Sequence, residues 1–183
     1  PEPMMAMFMV DSPQFTLVVQ GQYSVCTTYA TPPGLETIMT KLHETLETPL
    51  DRAAAFAYVA DWDGQAEWDP NTVSAERIGE GGPEVGARYA LEVKIGRRAV
   101  PMEYRITELV EPERLVLVGE GSGVWTEDVI TFTEIEGGTR VDYVAEIKLS
   151  GLLGLAQPLL GRAFDGIAKG AVEGMKRELD ARA

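Results

Sequence analysis

Between residues 71 and 151 the sequence repeats one pattern, in which short runs of alternating apolar and polar residues are separated by turn-forming residues. The runs are NTVSAERIGE, ARYALEVKIG, RRAVPMEYRITELVEP, ERLVLVGEG, SGVWTEDVITFTEIEGG and TRVDYVAEIKLSG. Alternation with a period of two is typical of a strand that buries one face. Because each link is too short to hold a crossover helix, consecutive strands must pair antiparallel. The pattern therefore predicts a meander of antiparallel strands.

Helices are predicted on either side of this meander. The segment ETIMTKLHETLE indicates a first strand, with Ile38, Leu42 and Leu46 on one face. Thr48 and Pro49 then have the residue types of an N-cap and first position for a helix in PLDRAAAFAYVADW. A second short helical turn is expected over residues 65–68, ending before Pro70.

The last segment, LAQPLLGRAFDGIAKGAVEGMKRELDARA, predicts one long amphipathic helix, because its apolar residues recur every three or four positions. Gly166, Gly170 and Gly174 share one flank of it and each costs about 1 kcal/mol relative to alanine. Either the bare flank lets the sheet or another helix approach closely, or it leaves room for a ligand. The second interpretation is favoured because the flank borders the apolar face.

Residues 1–35 differ in texture from the rest, being rich in Met and ending in the break TPPG. The segment FTLVVQGQYSV is either an added strand or hairpin, or part of a loosely held tail. A chain of 183 residues is long enough for one well-filled core and short for two. We expect an N-terminal extension over 1–35 and one domain over 36–183.

The order of strand, two short helices, meander and long helix resembles the START-like polyketide cyclase/dehydrase and lipid-transport superfamily (SRPBCC). The resemblance covers residues 37–182 and rests on LETPLDRAAAFAYVADWDGQAEWDP, VGARYALEV, ITELVEPERLVL, GGTRVDY and MKRELD. It implies an α+β helix-grip fold, in which a curved antiparallel sheet of about seven strands surrounds the C-terminal helix and an apolar cavity. The superfamily contains both ligand carriers and cyclases, so the fold does not specify the function.

The segment DWDGQAEWDP crowds acidic residues together, which raises the question of a metal site. A calcium loop counted from Asp61 would need Gly and Glu where Ala66 and Thr72 stand. The resemblance implies instead that Trp68, two residues before a proline, packs beneath the short helices. The acids are then expected to be solvated caps and turn formers: Asp61, Asp63, Glu67 and Asp69.

Strand alternation also indicates which side chains reach the interior. Glu44 and Asp128 are the candidate catalytic residues, because a carboxyl group among aromatic side chains has a raised pKa suited to acid or base chemistry. The alternative is that each lies at a rim or is turned to solvent by a bulge. His43 points away from Leu42 and is expected to be exposed. The predicted ligand-binding residues are Trp68, Tyr89, Leu91, Val93, Met102, Tyr104, Leu117, Ile130, Tyr143, Leu160, Phe164, Ile167 and Gly170.

Composition narrows the function further. The 29 acidic and 16 basic residues leave a net charge of −13, which argues against nucleic acid and anionic membrane surfaces as partners. Because Cys26 is the only cysteine and His43 the only histidine, no cysteine–histidine cluster for zinc, haem or iron–sulfur ligation is expected. No cofactor motif stands out. We find no apolar run of about 18 residues and no export signal, and expect a cytoplasmic protein.

Three functions remain open. The first is binding of a small hydrophobic molecule or lipid in an internal cavity. The second is a polyketide cyclase or dehydratase acting through Glu44 or Asp128. The third is an assembly factor similar to the group that serves carbon-monoxide dehydrogenase, suggested by LSGLLGLAQPLLG. The sequence leaves the ligand and the oligomeric state open.

Overall fold

The structure is a computed structural model that describes residues 39–95 and 98–183, with the backbone alone described over 151–165. The elements follow the predicted order. They are β1 (Met39–Thr48), α1 (Arg52–Ala60), a 3₁₀ turn (Trp62–Gly64), α2 (Gln65–Trp68), β2 (Thr72–Ile78), β3 (Arg88–Ile95), β4 (Arg98–Val110), β5 (Arg114–Gly121), β6 (Val124–Ile135), β7 (Gly138–Leu149) and α3 (Gly151–Asp180).

The strands form one antiparallel sheet of seven, in the spatial order β1-β7-β6-β5-β4-β3-β2. Each of the six alternating runs corresponds to one of the strands β2 to β7, which confirms the meander. β1 closes the order by pairing with β7 along its whole length, from Met39 opposite Lys148 to Thr48 opposite Thr139. A register shift between Ile106 and Glu108 in β4 bends the sheet, as bulges do. The helix-grip fold is confirmed.

The hydrophobic core lies between the concave face of the sheet and the helices. On α3 the buried residues recur at spacings of three or four, as the amphipathic pattern predicted: Ala168, Ala171, Val172, Met175 and Leu179. Phe56 of α1 meets Phe132 of β6 edge to face, with ring centroids 5.3 Å apart. Trp68 is buried and meets Trp62 edge to face at 5.6 Å. These contacts bring aromatic rings from α1, the 3₁₀ turn, α2 and β6 into the core.

Two helix starts differ from the sequence-based expectation. Thr48 is the last residue of β1, so it does not cap α1. The N-cap is Asp51, whose carboxylate accepts hydrogen bonds of 3.0 Å from the backbone N–H groups of Ala53 and Ala54. Pairing with Thr139 extends the strand past the point where local preferences would end it. α3 begins at Gly151, four residues before the predicted segment.

The glycine flank of α3 faces the α2 segment. A side chain on Gly174 would run into the backbone carbonyl of Trp68, and one on Gly170 would meet Pro70 Cγ at 3.4 Å. Close approach of another element, the less favoured of the two sequence-based interpretations, therefore explains Gly174. The predicted extension over 1–35 and Ile38 lie outside the described residues.

Candidate functional site

A cavity of about 80 Å³ lies between the concave face of the sheet, α2 and the middle of α3. Its wall is mainly apolar, with a polar side formed by residues of β4, β6, β7 and α2. The lining residues are Leu42, Gln65, Asp69, Val93, Lys94, Ile95, Met102, Tyr104, Val124, Thr126, Asp128, Tyr143, Ala145, Ile147, Ile167 and Ala168. Val124 pairs with Leu149, so the cavity lies toward the end of the sheet at which α3 begins.

Asp128 lies at the centre of the polar side. It is on β6 between Leu117 and Ala145 of the neighbouring strands, and only 4% of its surface is exposed. The hydroxyl of Tyr143 donates a hydrogen bond of 2.6 Å to Oδ1, and the hydroxyl of Thr126 lies 3.2 Å from Oδ2. Both carboxylate oxygens are therefore held by side chains that line the same cavity.

Tyr104 extends this network by one hydroxyl. Its oxygen lies 3.3 Å from Oγ1 of Thr126. A threonine hydroxyl carries one proton, so when Thr126 donates to Asp128 its oxygen accepts from Tyr104. In that arrangement Tyr104 donates to Thr126, and both Thr126 and Tyr143 donate to the carboxylate of Asp128.

Burial sets the acidity of these groups. Desolvation raises the pKa of Asp128 to about 6, although the hydrogen bonds from Tyr143 and Thr126 act in the opposite direction. The pKa values of Tyr104 and Tyr143 are also raised, first by desolvation and then by the charge of Asp128. Near neutral pH the tyrosines stay protonated, whereas Asp128 titrates within about one pH unit of neutrality.

The backbone of β5 makes room for this network at Gly119. Gly119 pairs with Tyr104 on one side and Thr126 on the other. A Cβ atom there would lie 2.6 Å from the Tyr104 ring and 2.7 Å from Oγ1 of Thr126. Both distances are below normal contact, so the ring lies over β5 only because residue 119 has no side chain.

A second carboxyl group enters the cavity wall from the DWDGQAEWDP segment. Asp69 was expected to be solvated, but only 6% of its surface is exposed. It accepts from the backbone N–H of Asn71 at 2.9 Å and from the hydroxyl of Thr72 at 3.0 Å, and burial raises its pKa. The expectation is wrong because the turn that follows α2 packs against the rest of the protein, so that Asp69 becomes part of the cavity wall. Asp61, Asp63 and Glu67 are exposed.

Gln65 of α2 contributes an unpaired group to the same wall. Only 4% of its surface is exposed, and its carbonyl oxygen Oε1 has no hydrogen-bond partner in the described part of the chain. Buried polar atoms are seldom left without a partner. Oε1 of Gln65 is therefore a polar atom of the cavity wall that lacks a hydrogen-bond partner.

The structure brings six of the fifteen predicted site residues into the cavity wall. Asp128, Val93, Met102, Tyr104, Tyr143 and Ile167 line the cavity. A second group is buried in the core away from the lining: Trp68, Tyr89, Leu91, Leu117 and Ile130. The side chains of Leu160 and Phe164 lie outside the described part.

Two predicted site residues, Glu44 and Gly170, do not line the cavity, and His43 has the exposure that was predicted. Glu44 is half-buried on β1 opposite Tyr143 and is not part of the lining. Gly170 lies against Pro70 rather than in the lining. His43 is exposed, as expected, 3.4 Å from a carboxylate oxygen of Asp142.

Thr126, Gln65, Asp69 and Gly119 were not among the predicted site residues. Thr126 had a signal, because it precedes Asp128 by two positions on one strand and so shares its face. Gln65 and Asp69 had none, since their burial depends on the packing of α2 and the following turn against α3. Gly119 also had no signal in the sequence, because its role depends on the position of the Tyr104 ring on the neighbouring strand.

Neither a metal site nor a membrane-spanning helix is found among the described residues. No group of three or more His, Cys, Asp or Glu side chains there is placed to hold a metal ion. None of the helices in that part of the chain is both long and apolar enough to cross a membrane.

Comparisons with known proteins agree with this architecture. The family model described as polyketide cyclase/dehydrase and lipid transport matches residues 39–180. A START superfamily protein from Mycobacterium smegmatis superimposes with a TM-score of 0.65 at 10% identity, covering 78% of this chain and 99% of that one.

Two further solved structures share the fold. The Zhui aromatase/cyclase from Streptomyces sp. R1128 gives a TM-score of 0.63 at 15% identity, covering 79% of this chain and 95% of that one. A conserved protein from Geobacillus kaustophilus gives 0.60 at 19% identity, with coverages of 76% and 94%. No curated protein matches the chain in sequence. With the family model matched over most of its length, the chain belongs to the polyketide cyclase/dehydrase and lipid transport family.

Proposed function

We propose that this protein binds a small, mainly apolar molecule in the cavity between the sheet and α3. The observation that carries the proposal is the lining, which is mainly apolar and gathers three hydroxyl groups around the carboxyl group of Asp128. A wall of this composition is typical of small-molecule sites, where apolar contacts supply affinity and a few polar groups orient the ligand.

The size of the cavity restricts the ligand. At about 80 Å³ it is smaller than the engineered cavity of roughly 150 Å³ that accepts benzene in another protein. A compact ligand therefore requires small shifts of the lining side chains, and a lipid acyl chain requires a larger expansion. We accordingly favour a compact molecule over a lipid.

Filling the cavity tests this proposal. Ala145 lines the cavity and is buried, so Ala145→Leu places extra carbon atoms in the space. Toluene, followed by ¹H–¹⁵N NMR shifts, serves as the probe. We expect Ala145→Leu to weaken its binding at least about tenfold, which corresponds to roughly 1.4 kcal/mol.

The matched control is Ala57→Leu, the same substitution on the exposed side of α1. It should leave the affinity for toluene unchanged. If Ala145→Leu binds toluene as the wild type does, the ligand lies elsewhere and the proposal fails. Native mass spectrometry of the full chain as purified would then show whether another molecule accompanies it.

A second candidate function is a cyclase or dehydratase reaction, favoured by the pKa of about 6 for Asp128. A buried carboxyl group that titrates near neutral pH is suited to general acid or base catalysis. Asp128, rather than Glu44, would fill that role, because Glu44 does not line the cavity. An Asp128→Asn variant that binds a cyclisable polyketone normally but does not convert it would support this function, and unchanged conversion would exclude it.

The assembly-factor hypothesis rests on residues 149–161. Most of their side chains lie outside the described part, and none of the described contacts supports it. It remains a hypothesis from the sequence.

A further inference from the structure

We propose that the cavity selects ligands that carry an O–H or N–H donor next to an apolar body, and that this donor binds Oε1 of Gln65. The inference rests on the proposed function, since it names the chemical class of molecule that the same cavity takes. The inference depends on which hydrogen-bond donors and acceptors in the cavity wall already have partners within the protein.

The hydroxyl donors of the wall are paired within the protein. Tyr143 donates its only hydroxyl proton to Asp128 over 2.6 Å. Thr126 lies within hydrogen-bond distance of Asp128, and Tyr104 within that distance of Thr126. When Thr126 donates to Asp128 and Tyr104 donates to Thr126, these hydroxyls have no proton left for a ligand, because each carries only one. The hydroxyl oxygens are left with lone pairs, which can only accept.

Gln65 supplies the acceptor that remains unpaired. Its side chain lines the cavity, only 4% of the residue is exposed, and Oε1 has no partner among the described residues. A buried carbonyl oxygen without a partner has lost its water without gaining a replacement. A ligand that brings a donor to this oxygen restores the missing hydrogen bond, whereas a ligand that brings only an acceptor leaves it unpaired.

The charges around the cavity point to the same class. Asp69 and Asp128 are both buried in the wall, whereas the cationic residue of the lining, Lys94, is exposed. A ligand carboxylate would therefore lie near two buried acidic groups without a buried cation to compensate it. Alcohols, phenols and amines meet no such repulsion, and a protonated amine would gain from the charge of Asp128.

A probe series on one ring tests the selection with the full-length protein. Toluene has no polar group, benzyl alcohol and benzylamine have a donor, acetophenone has an acceptor only, and benzoate has a charged acceptor. We expect benzyl alcohol and benzylamine to bind about five- to tenfold more tightly than toluene, as one net hydrogen bond provides. Acetophenone should gain less than benzyl alcohol, and benzoate should bind more weakly than toluene.

Gln65→Met identifies the residue, because it keeps an unbranched side chain of similar length while removing the amide. In this variant the advantage of benzyl alcohol over toluene, measured as the ratio of their two affinities for the same protein, should disappear. If the variant does not fold, the ranking of the five probes on the wild type decides the proposal.

Specific results would overturn the inference. If toluene binds and benzyl alcohol gains nothing over it, or if acetophenone gains as much as the alcohol, the cavity does not select donors, although the proposed function stands. If Gln65→Met folds and keeps the advantage of the alcohol, Oε1 is not the acceptor. If none of the five probes binds, both the proposed function and this inference fall.

Discussion

The backbone carbonyl of Trp68 lies where a side chain on Gly174 would have to be. This contact joins the end of α2 to the C-terminal third of α3, so it sets the distance between the long helix and the segment that carries Gln65 and Asp69. The wall of the cavity thus depends on a glycine that does not line it.

Replacing Gly174 with alanine should destabilise the protein, because the obstructing atom is backbone and cannot turn aside. We expect Gly174→Ala to lower the free energy of unfolding by about 1–3 kcal/mol, as overpacking usually does. Urea unfolding measures the change.

Gly166→Ala is the matched control on the same helix, since an added Cβ there meets no described atom within 4 Å. It should stabilise the protein by up to about 1 kcal/mol through helix propensity. Equal effects of the two substitutions would contradict the close packing at Gly174.

Gly119→Ala should destabilise the protein by pushing the ring of Tyr104 away from β5. We expect a cost of about 1–3 kcal/mol in the wild type and a smaller cost when Tyr104 is already alanine, because the obstructing ring is then absent. A double-mutant cycle by urea unfolding measures the coupling. Additive effects would show that the ring is not what excludes a side chain at residue 119.

Asp128→Asn should change how stability depends on pH. Burial raises the pKa of Asp128 from its usual 3.8 to about 6 in the folded protein, so the folded state holds the proton more tightly than the unfolded state. The stability linked to this proton is fully present below about pH 4 and is lost as the pH rises through about 6. A shift of about 2 units corresponds to roughly 3 kcal/mol.

The asparagine variant should therefore match the wild type near pH 4 and exceed its stability by up to about 3 kcal/mol above pH 7. Urea unfolding of both proteins from pH 4 to pH 8 measures this difference, with the exposed Asp63→Asn as control. A difference that does not vary with pH would show that Asp128 titrates with an ordinary pKa.

Tyr143→Phe should raise the pKa of Asp128 above about 6, because it removes the largest contribution that lowers this pKa. Carboxyl ¹³C NMR titration follows the group directly. Tyr58→Phe, which removes a hydroxyl bonded to Glu67 on the surface, should leave the titration of Asp128 unchanged. A fall in the pKa of Asp128 in Tyr143→Phe would contradict the bond.

The fold was accessible from the sequence because its signals are local. Alternation along each strand places Tyr104, Asp128 and Tyr143 on the concave face whatever the rest of the chain does. Turns too short for a helix force the antiparallel meander, and a spacing of three or four residues shows which face of α3 is buried. Asp128 was identified as a candidate for the same reason, since its position within a strand already decides its side.

Other features depend on which segments meet. Asp69, Gln65 and Gly174 carry no local signal, because the burial of each is decided by the packing of α2 and the following turn against α3. Pairing with Thr139 kept Thr48 in a strand when its own sequence favoured a helix cap. The cavity likewise arises where side chains from β1, β3, β4, β6, β7, α2 and α3 fail to fill the space between them. Sequence periodicity therefore determined which face each side chain occupies, whereas tertiary packing decided how closely those faces approach and which polar atoms were left without a partner.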